Sequence, residues 1–238
     1  PVENNGEYEW REELLLSDLV VSSDSLLPEI DLDYGLIQRK KIDGTFHCLS
    51  FRPSCLIDTK IQIPLKEQDI VYFFTREPRG DALKNLLSDI RKQSSAGENS
   101  RLIKVSGAVH FPGEYPFTDS MMLADLIRAA GGTKDSAYLM DAEITRLGID
   151  EEQKAFVEHL RIGQDVLVDS NRSQNYLLKP YDSLSIKPIP LWREGESIEI
   201  SGEVNFPGTY SIKLGETLFD VIQRAGGLTD RAFPERFN

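Results

Sequence analysis

Residues 105–138 read VSGAVHFPGEYPFTDSMMLADLIRAAGGTKDSAY, and from residue 200 the chain reads ISGEVNFPGTYSIKLGETLFDVIQRAGGLTDRAF. The two stretches align without a gap at an offset of 95, from Gly107 and Gly202 onward. Phe111, Pro112, Gly113, Tyr115, Asp125, Gly131 and Gly132 all recur, as Phe206, Pro207, Gly208, Tyr210, Asp220, Gly226 and Gly227. A register held that long marks one structural unit used twice. Val105, Gly107 and Val109 alternate with smaller or polar residues, which predicts a half-buried strand. Pro112-Gly113 predicts a type II turn leading into a return strand over 114–117. Asp119 or Ser120 can cap a short helix whose apolar face is Leu123, Leu126, Ile127 and Ala130, and the Gly pair ends it.

A third, earlier copy emerges at an offset of 107. Val2, Gly6-Glu7-Tyr8, Trp10, Asp18-Leu19-Val20, Ile37 and Arg39 match Val109, Gly113-Glu114-Tyr115, Phe117, Asp125-Leu126-Ile127, Ile144 and Arg146. It departs at Asn5 and at Asp24-Ser25, which stand where the turn Pro and the Gly pair are expected. Its helix is predicted over Leu14–Val21. Strands follow in both copies, at 34–39 and 142–147, then 45–51 and 155–160, then 70–74 and 183–187. Leu65-Lys66 with Asp69 matches Leu178-Lys179 with Asp182 at an offset of 113, so six extra residues are expected in the second copy, within Gln164–Gln174. The domain reading is therefore a first repeat over 1–76 with its first strand cut, a helical linker over 77–100, a second repeat over 101–190, and the first half of a third over 191–238. Leu83, Leu86, Leu87 and Ile90 are helix-spaced, and Gln93–Ser100 reads as a polar tail.

Composition bounds the function. The 238 residues carry a net charge of −12, which disfavours nucleic acid and anionic lipid, since both need Lys and Arg to neutralise phosphate. No apolar run approaches the roughly 20 residues of a spanning helix. Pro1 reads as the start of an excised or processed piece. His47, His110 and His159 are scattered and no CxxC occurs, so neither a metal nor another cofactor is expected. Cys48 and Cys55 can pair in an oxidising compartment, but two buried thiols is the plainer reading. No G-x-S-x-G, H-E-x-x-H or phosphate loop is present, and the chain is read as no enzyme.

The pattern G-x-V-x-x-P-G-x-Y, D-x-I-x-x-A-G-G, an Arg-ended strand and a late L-K-x-x-D resembles the SLBB (soluble-ligand-binding β-grasp) domain, in arrays like those of Wza-like polysaccharide export proteins. The resemblance implies an α+β fold of tandem β-grasp domains, each a curled mixed sheet around one main helix. It also implies a periplasmic, outer-membrane-associated location, and a role as an assembly and conduit module in capsule or exopolysaccharide export. The partners it implies are other subunits of the export complex, further copies of the same protein and the polysaccharide.

Candidate contacts for a glycan or an interface are Tyr8, Tyr115 and Tyr210, which recur and can stack on sugar rings, and Arg39 and Arg146, which can hold an acidic sugar. The opposing reading packs the tyrosines beside their turns and pairs Arg146 with Asp141 or Glu143. Asp18, Asp125 and Asp220 lack a repeated second carboxylate and read as helix anchors rather than acids of catalysis. Gly107, Pro112, Gly113, Gly131, Gly132 and their counterparts in the third copy read as backbone devices. The alternatives are a glycan- or small-ligand-binding module with a site in a cleft between the second and third copies, and a subunit of an electron-transfer enzyme.

Overall fold

The computed structural model describes residues 6–20, 29–58, 62–75, 80–94, 101–149, 154–168, 176–192, 195–213 and 215–233. Val2, Asn5, Asp24-Ser25 and the tail over 95–100 lie outside these, as does 169–174 of the expected insertion. Two compact units divide the chain, Pro1–Ile189 and Pro190–Asn238.

The first repeat contains helix α1 (Leu16–Leu19), strands β1 (Ile30–Lys40) and β2 (Phe46–Phe51), helix α2 (Pro53–Asp58) and strand β3 (Ile70–Thr75). Its sheet has the order β2-β1-β3 and is wholly antiparallel. Both faces are buried. Leu14, Leu16, Ile37, Phe51, Leu56 and Leu65 form one cluster, while Tyr34, Leu36, Cys48 and Phe74 face another. That explains the unbroken burial of Tyr34–Ile37, where a sheet with one wet face would alternate.

Helix α3 (Gly80–Ser94) turns Leu83, Leu86, Leu87 and Ile90 into that second cluster. The side-chain amide of Gln93 accepts from the Phe46 N–H at 2.9 Å and donates to the Phe46 carbonyl at 3.0 Å, continuing the ladder where β2 begins. The cluster also takes in Ile103, Val105, Tyr115, Leu123, Leu126 and Ile144 of the second repeat. The first two repeats therefore share one core with α3 inside it.

The second repeat runs β4 (Leu102–Gly107), β5 (Gly113–Pro116), α4 (Leu123–Ala129), β6 (Ala137–Ile149), β7 (Ala155–Gly163), α5 (Gln164–Val168) and β8 (Ser183–Pro188). Its sheet has the order β5-β4-β8-β6-β7, with β4 and β8 parallel and the other pairs antiparallel. The second unit holds β9 (Ser197–Ile200), β10 (Gly208–Ser211) and α6 (Leu218–Arg224), with β9 and β10 paired antiparallel.

The expectation of curled mixed β-grasp sheets, each around one helix, is overturned. All three sheets are open, and no pairing joins the ends of any of them among the described residues. Among the described residues one sheet alone is mixed, and the first repeat packs helices α1 and α2 on one face and the shared core on the other. With neighbouring elements covering its faces, the sheet has no need to curl around a single helix.

Local expectations also need correction. Gly113 and Gly208 have φ of 159° and 157°, far from the roughly +80° of a type II turn, and each opens a return strand, opposite Val105 and Ile200. The connection is instead a strap across the helix end. The Phe111 N–H donates to Ala130 O at 2.8 Å and the His110 N–H to Gly132 O at 3.2 Å, and Phe206 and Asn205 repeat this on Ala225 and Gly227. Gly131, at φ 76°, lies under the Phe111 ring, where an added Cβ would sit 2.5 Å from it. A Cβ on Gly107, at φ 88°, would meet Ile186 O at 1.9 Å. That carbonyl receives the Ala108 N–H at 2.7 Å.

The six extra residues are not confined to 164–174. The offset is 107 between Arg39 and Arg146, 111 between their strand partners His47 and Glu158, and 113 between Pro64 and Leu177. Four of the six thus lengthen the β6–β7 hairpin, because a hairpin absorbs added residues at its tip without disturbing the ladder. Cys48 and Cys55 are not joined by a disulfide. Cys48 faces the shared core from β2 while α2, which carries Cys55, packs through Leu56 into the other cluster. Burial pushes the Cys48 thiol up to about 12.

Candidate functional site

The recurrent residues converge on three internal devices. The first is an Arg–Asp clamp. Arg146, on β6, donates from Nε to Asp182 Oδ1 at 2.8 Å and from Nη2 to Asp182 Oδ2 at 2.7 Å. Its Nη2 also reaches Leu177 O at 3.5 Å, and the Lys179 N–H caps Asp182 Oδ2 at 2.8 Å. Arg39 repeats this on Asp69, at 3.0 and 2.6 Å, with Nη2 on Pro64 O at 2.8 Å and the Lys66 N–H on Asp69 Oδ2 at 2.8 Å. The Asp69 and Asp182 side chains are 3% and 1% exposed, so each pair is desolvated and bidentate. The hydrogen bonds from Arg146 to Asp182 raise the guanidinium above its ordinary value. Asp141 and Glu143 are not its partners. Asp141 lies near Arg161 and Lys187, and Glu143 lies 3.3 Å from His159. The turn before the last strand carries Gln68 and Tyr181 at φ 65° and 68°, the same left-handed position in both repeats.

The second device is a tyrosine lock. The Tyr115 hydroxyl donates to Phe111 O at 2.7 Å and the Tyr210 hydroxyl to Phe206 O at 2.6 Å, closing each strap. Tyr115 is 2% exposed and meets Tyr34 edge to face at 5.9 Å, so it offers no ring face to a sugar. Tyr210 is half-buried, with the Arg224 guanidinium 5.8 Å over its ring.

The third device is the helix start. Asp18, Asp125 and Asp220 each accept the backbone N–H three residues back, from Leu15, Met122 and Thr217, at 3.0, 2.9 and 2.9 Å. Neither Asp119 nor Ser120 caps α4. Met122 is the N-cap, Asp119 pairs with Arg101, and Ser120 takes φ 59°. The hydrogen bond from Arg101 holds the Asp119 carboxyl below its usual range. Glu13 and Gly215 occupy the equivalent left-handed position, at φ 66° and 80°.

Several concave surfaces remain among the described residues, one of them, of about 290 Å³, in the second unit against Ile198, Val204 and Leu228. A cleft of about 260 Å³ has Phe51, Leu56 and Ile63 as its apolar lining, and its Arg52 and Arg128 are paired with Asp33 and Asp125. A groove of about 600 Å³ on the first repeat is lined by Tyr8, Trp10, Leu14, Leu19, Ile70 and Phe73, among others. Tyr8 is 51% exposed there, and the Trp10 indole N–H donates to Leu65 O at 3.3 Å. Of the five candidate contacts, the structure thus gives Arg39, Arg146, Tyr115 and Tyr210 partners within their own repeats and places Tyr8 on the groove. Trp10 and Ile70 escaped the sequence reading, since an aromatic or aliphatic residue left outside the core looks like any other in sequence. No group of three or more His, Cys, Asp or Glu residues among the described ones could hold a metal ion.

Residues 102–153 and 197–238 match the SLBB domain family. An SLBB domain is therefore present over part of the chain, in the second repeat and again in the second unit. Domains of this class are non-catalytic modules, typically extracytoplasmic. No curated protein matches it. No helix among the described residues is long and apolar enough to cross a membrane.

Proposed function

We propose that this chain is the periplasmic SLBB region of a capsule or exopolysaccharide export protein, a non-catalytic assembly and conduit module in polysaccharide transport across the outer membrane. The observation that carries this reading is the use of the recurrent polar residues. Both segments that match the SLBB family spend them inside their own unit, Arg146 on Asp182, Tyr115 and Tyr210 on their straps, Asp125 and Asp220 on their helix starts. A repeated unit built that way works by presenting surface. The net charge of −12 supports passage rather than storage, because an acidic wall repels an acidic polymer. Other subunits of the export complex and further copies of the full-length protein are the partners this reading names.

The test is made in the full-length protein in its own cell. Exposed Glu158, Glu199 and Asp230 are replaced by lysine, and surface polymer and complex assembly are measured together. Reduced export with intact assembly is the expected result. Unchanged export and assembly count against the charge argument, and unchanged export after deletion of residues 101–238 removes the export reading itself.

A further inference from the structure

We propose that the outer face of the second repeat's sheet, turned away from α4, is a shallow trough along which an extended, hydroxyl-rich carbohydrate polymer passes in weak contact, an inference that rests on the export reading above. Alternation along the strands decides the face. Ala142, Ile144, Ile162, Leu184 and Ile186 are buried in the core, so the residues between them point outward. They form two rows across the sheet, Lys104, Ser183, Thr145 and His159 in one, and Ser106, Ser185, Glu143 and Arg161 in the next. The central strands β8 and β6 carry the short, half-buried Ser183, Ser185 and Thr145, while the flanking strands carry exposed Lys104, His159 and Arg161. Glu143 is drawn to the β7 side, with His159 3.3 Å away. Short side chains between long ones make a trough about 14 Å across, three strand spacings wide.

The first repeat shows that this polarity is no requirement of the unit. Its sheet places Tyr34, Leu36, Cys48, Tyr72 and Phe74 at the positions of Asp141, Glu143, His159, Ser185 and Lys187. The registers agree, since Leu36 pairs with Tyr72 as Glu143 pairs with Ser185, and Gln38 pairs with Cys48 as Thr145 pairs with His159. In the first repeat that face is sealed into the core shared with α3 and the second repeat. In the second repeat the equivalent face is polar throughout the two rows, which is the composition of a sheet with one dry and one wet side.

The chemistry of the face suits passage rather than tight binding. A serine or threonine hydroxyl both donates and accepts, as water and a sugar hydroxyl do, so a polymer exchanges one set of hydrogen bonds for another with little net gain. The charges come as neighbours of opposite sign. Asp141 lies 3.8 Å from Lys187 and 3.9 Å from Arg161, and Lys104 stands opposite Glu114. Neither row offers a Phe, Tyr or Trp ring on which a sugar could stack. In a chain of net charge −12, a balanced face neither repels an acidic polymer nor grips it.

The experiment is made in the full-length protein in its own cell. Ser185→Trp and Thr145→Trp each fill the floor of the trough, and Lys84→Trp puts the same bulk on α3, at a side chain 78% exposed. Surface polymer and complex assembly are measured, and thermal melts of the 238-residue chain check that each variant folds. The expected result is at least tenfold less surface polymer from both floor variants with assembly intact, and unchanged export from Lys84→Trp and from Ser185→Thr, which keeps a hydroxyl. Normal export by folded floor variants overturns the proposal. So does a loss of assembly in them, which would give the face to a neighbouring subunit. The unsubstituted 238-residue chain supplies a second readout, by NMR with the purified polymer of the same cell. Shifts over 104–106, 143–145 and 183–185 that do not saturate at millimolar sugar are expected, and their absence overturns the proposal. The export reading fails separately, through unchanged export after deletion of residues 101–238, and this inference then falls with it.

Discussion

Arg146 and Asp182 are joined by two near-parallel hydrogen bonds, of 2.8 and 2.7 Å, across the gap between β6 and the turn that opens β8. Breaking a buried pair from one side costs about 3–5 kcal/mol, since the remaining charge stays desolvated. Asp182→Asn and Arg146→Ala are therefore each expected to destabilise the first unit by that amount in urea denaturation. The double variant should cost clearly less than the sum. Arg146→Lys keeps the charge but loses the planar fork, so it rescues only in part. Additive single losses would show that the pair is not coupled.

Tyr115→Phe removes one hydrogen bond and leaves the Phe111 carbonyl without it. The expected cost is about 1–2 kcal/mol. Tyr210→Phe deletes the same bond in the more exposed third repeat, where water replaces the hydroxyl, and its cost should be smaller. Thermal melts of the two variants, compared in one buffer, decide the ordering.

Ser120 holds φ 59° where the third repeat has Gly215 at φ 80°. A left-handed residue with a Cβ is strained by about 1–2 kcal/mol. Ser120→Gly is expected to recover part of this, up to about 1 kcal/mol net of the entropy glycine adds to the unfolded chain. A lower urea midpoint would show that the serine hydroxyl matters more than the backbone.

Burial lowers the pKa of His47 below its ordinary 6.5. The folded state thus resists a proton that the unfolded chain accepts. The contribution is fully present above pH 6.5 and declines as pH falls through that value toward the folded pKa. Urea midpoints should drop between pH 7.5 and 5.5, and His47→Gln should flatten that part of the profile. An identical slope in the variant would assign the pH dependence to other groups.

The repeat was legible in sequence because its backbone demands are local. Gly107 and Gly131 sit at left-handed angles with no room for a Cβ, Asp125 reaches only three residues back, and strand and helix faces follow periods that a single segment displays. The partner of Arg146 was harder to read, with Asp141 and Glu143 nearer in sequence than Asp182, 36 residues away. The late L-K-x-x-D motif held the answer, but nothing in a linear pattern says which strand end it will meet.

Amino-acid order by itself determined the repeated unit and its glycine and aspartate backbone devices, since those act over a few positions, but it misplaced the cap at Asp119 or Ser120 and the type II turn at Pro112-Gly113. Tertiary structure alone decided that the sheets stay open, that α3 enters a core shared by two repeats, and that Tyr115 is buried while Tyr8 faces a groove. Burial depends on which neighbour covers a face, and equivalent residues in two copies carry no record of having different neighbours.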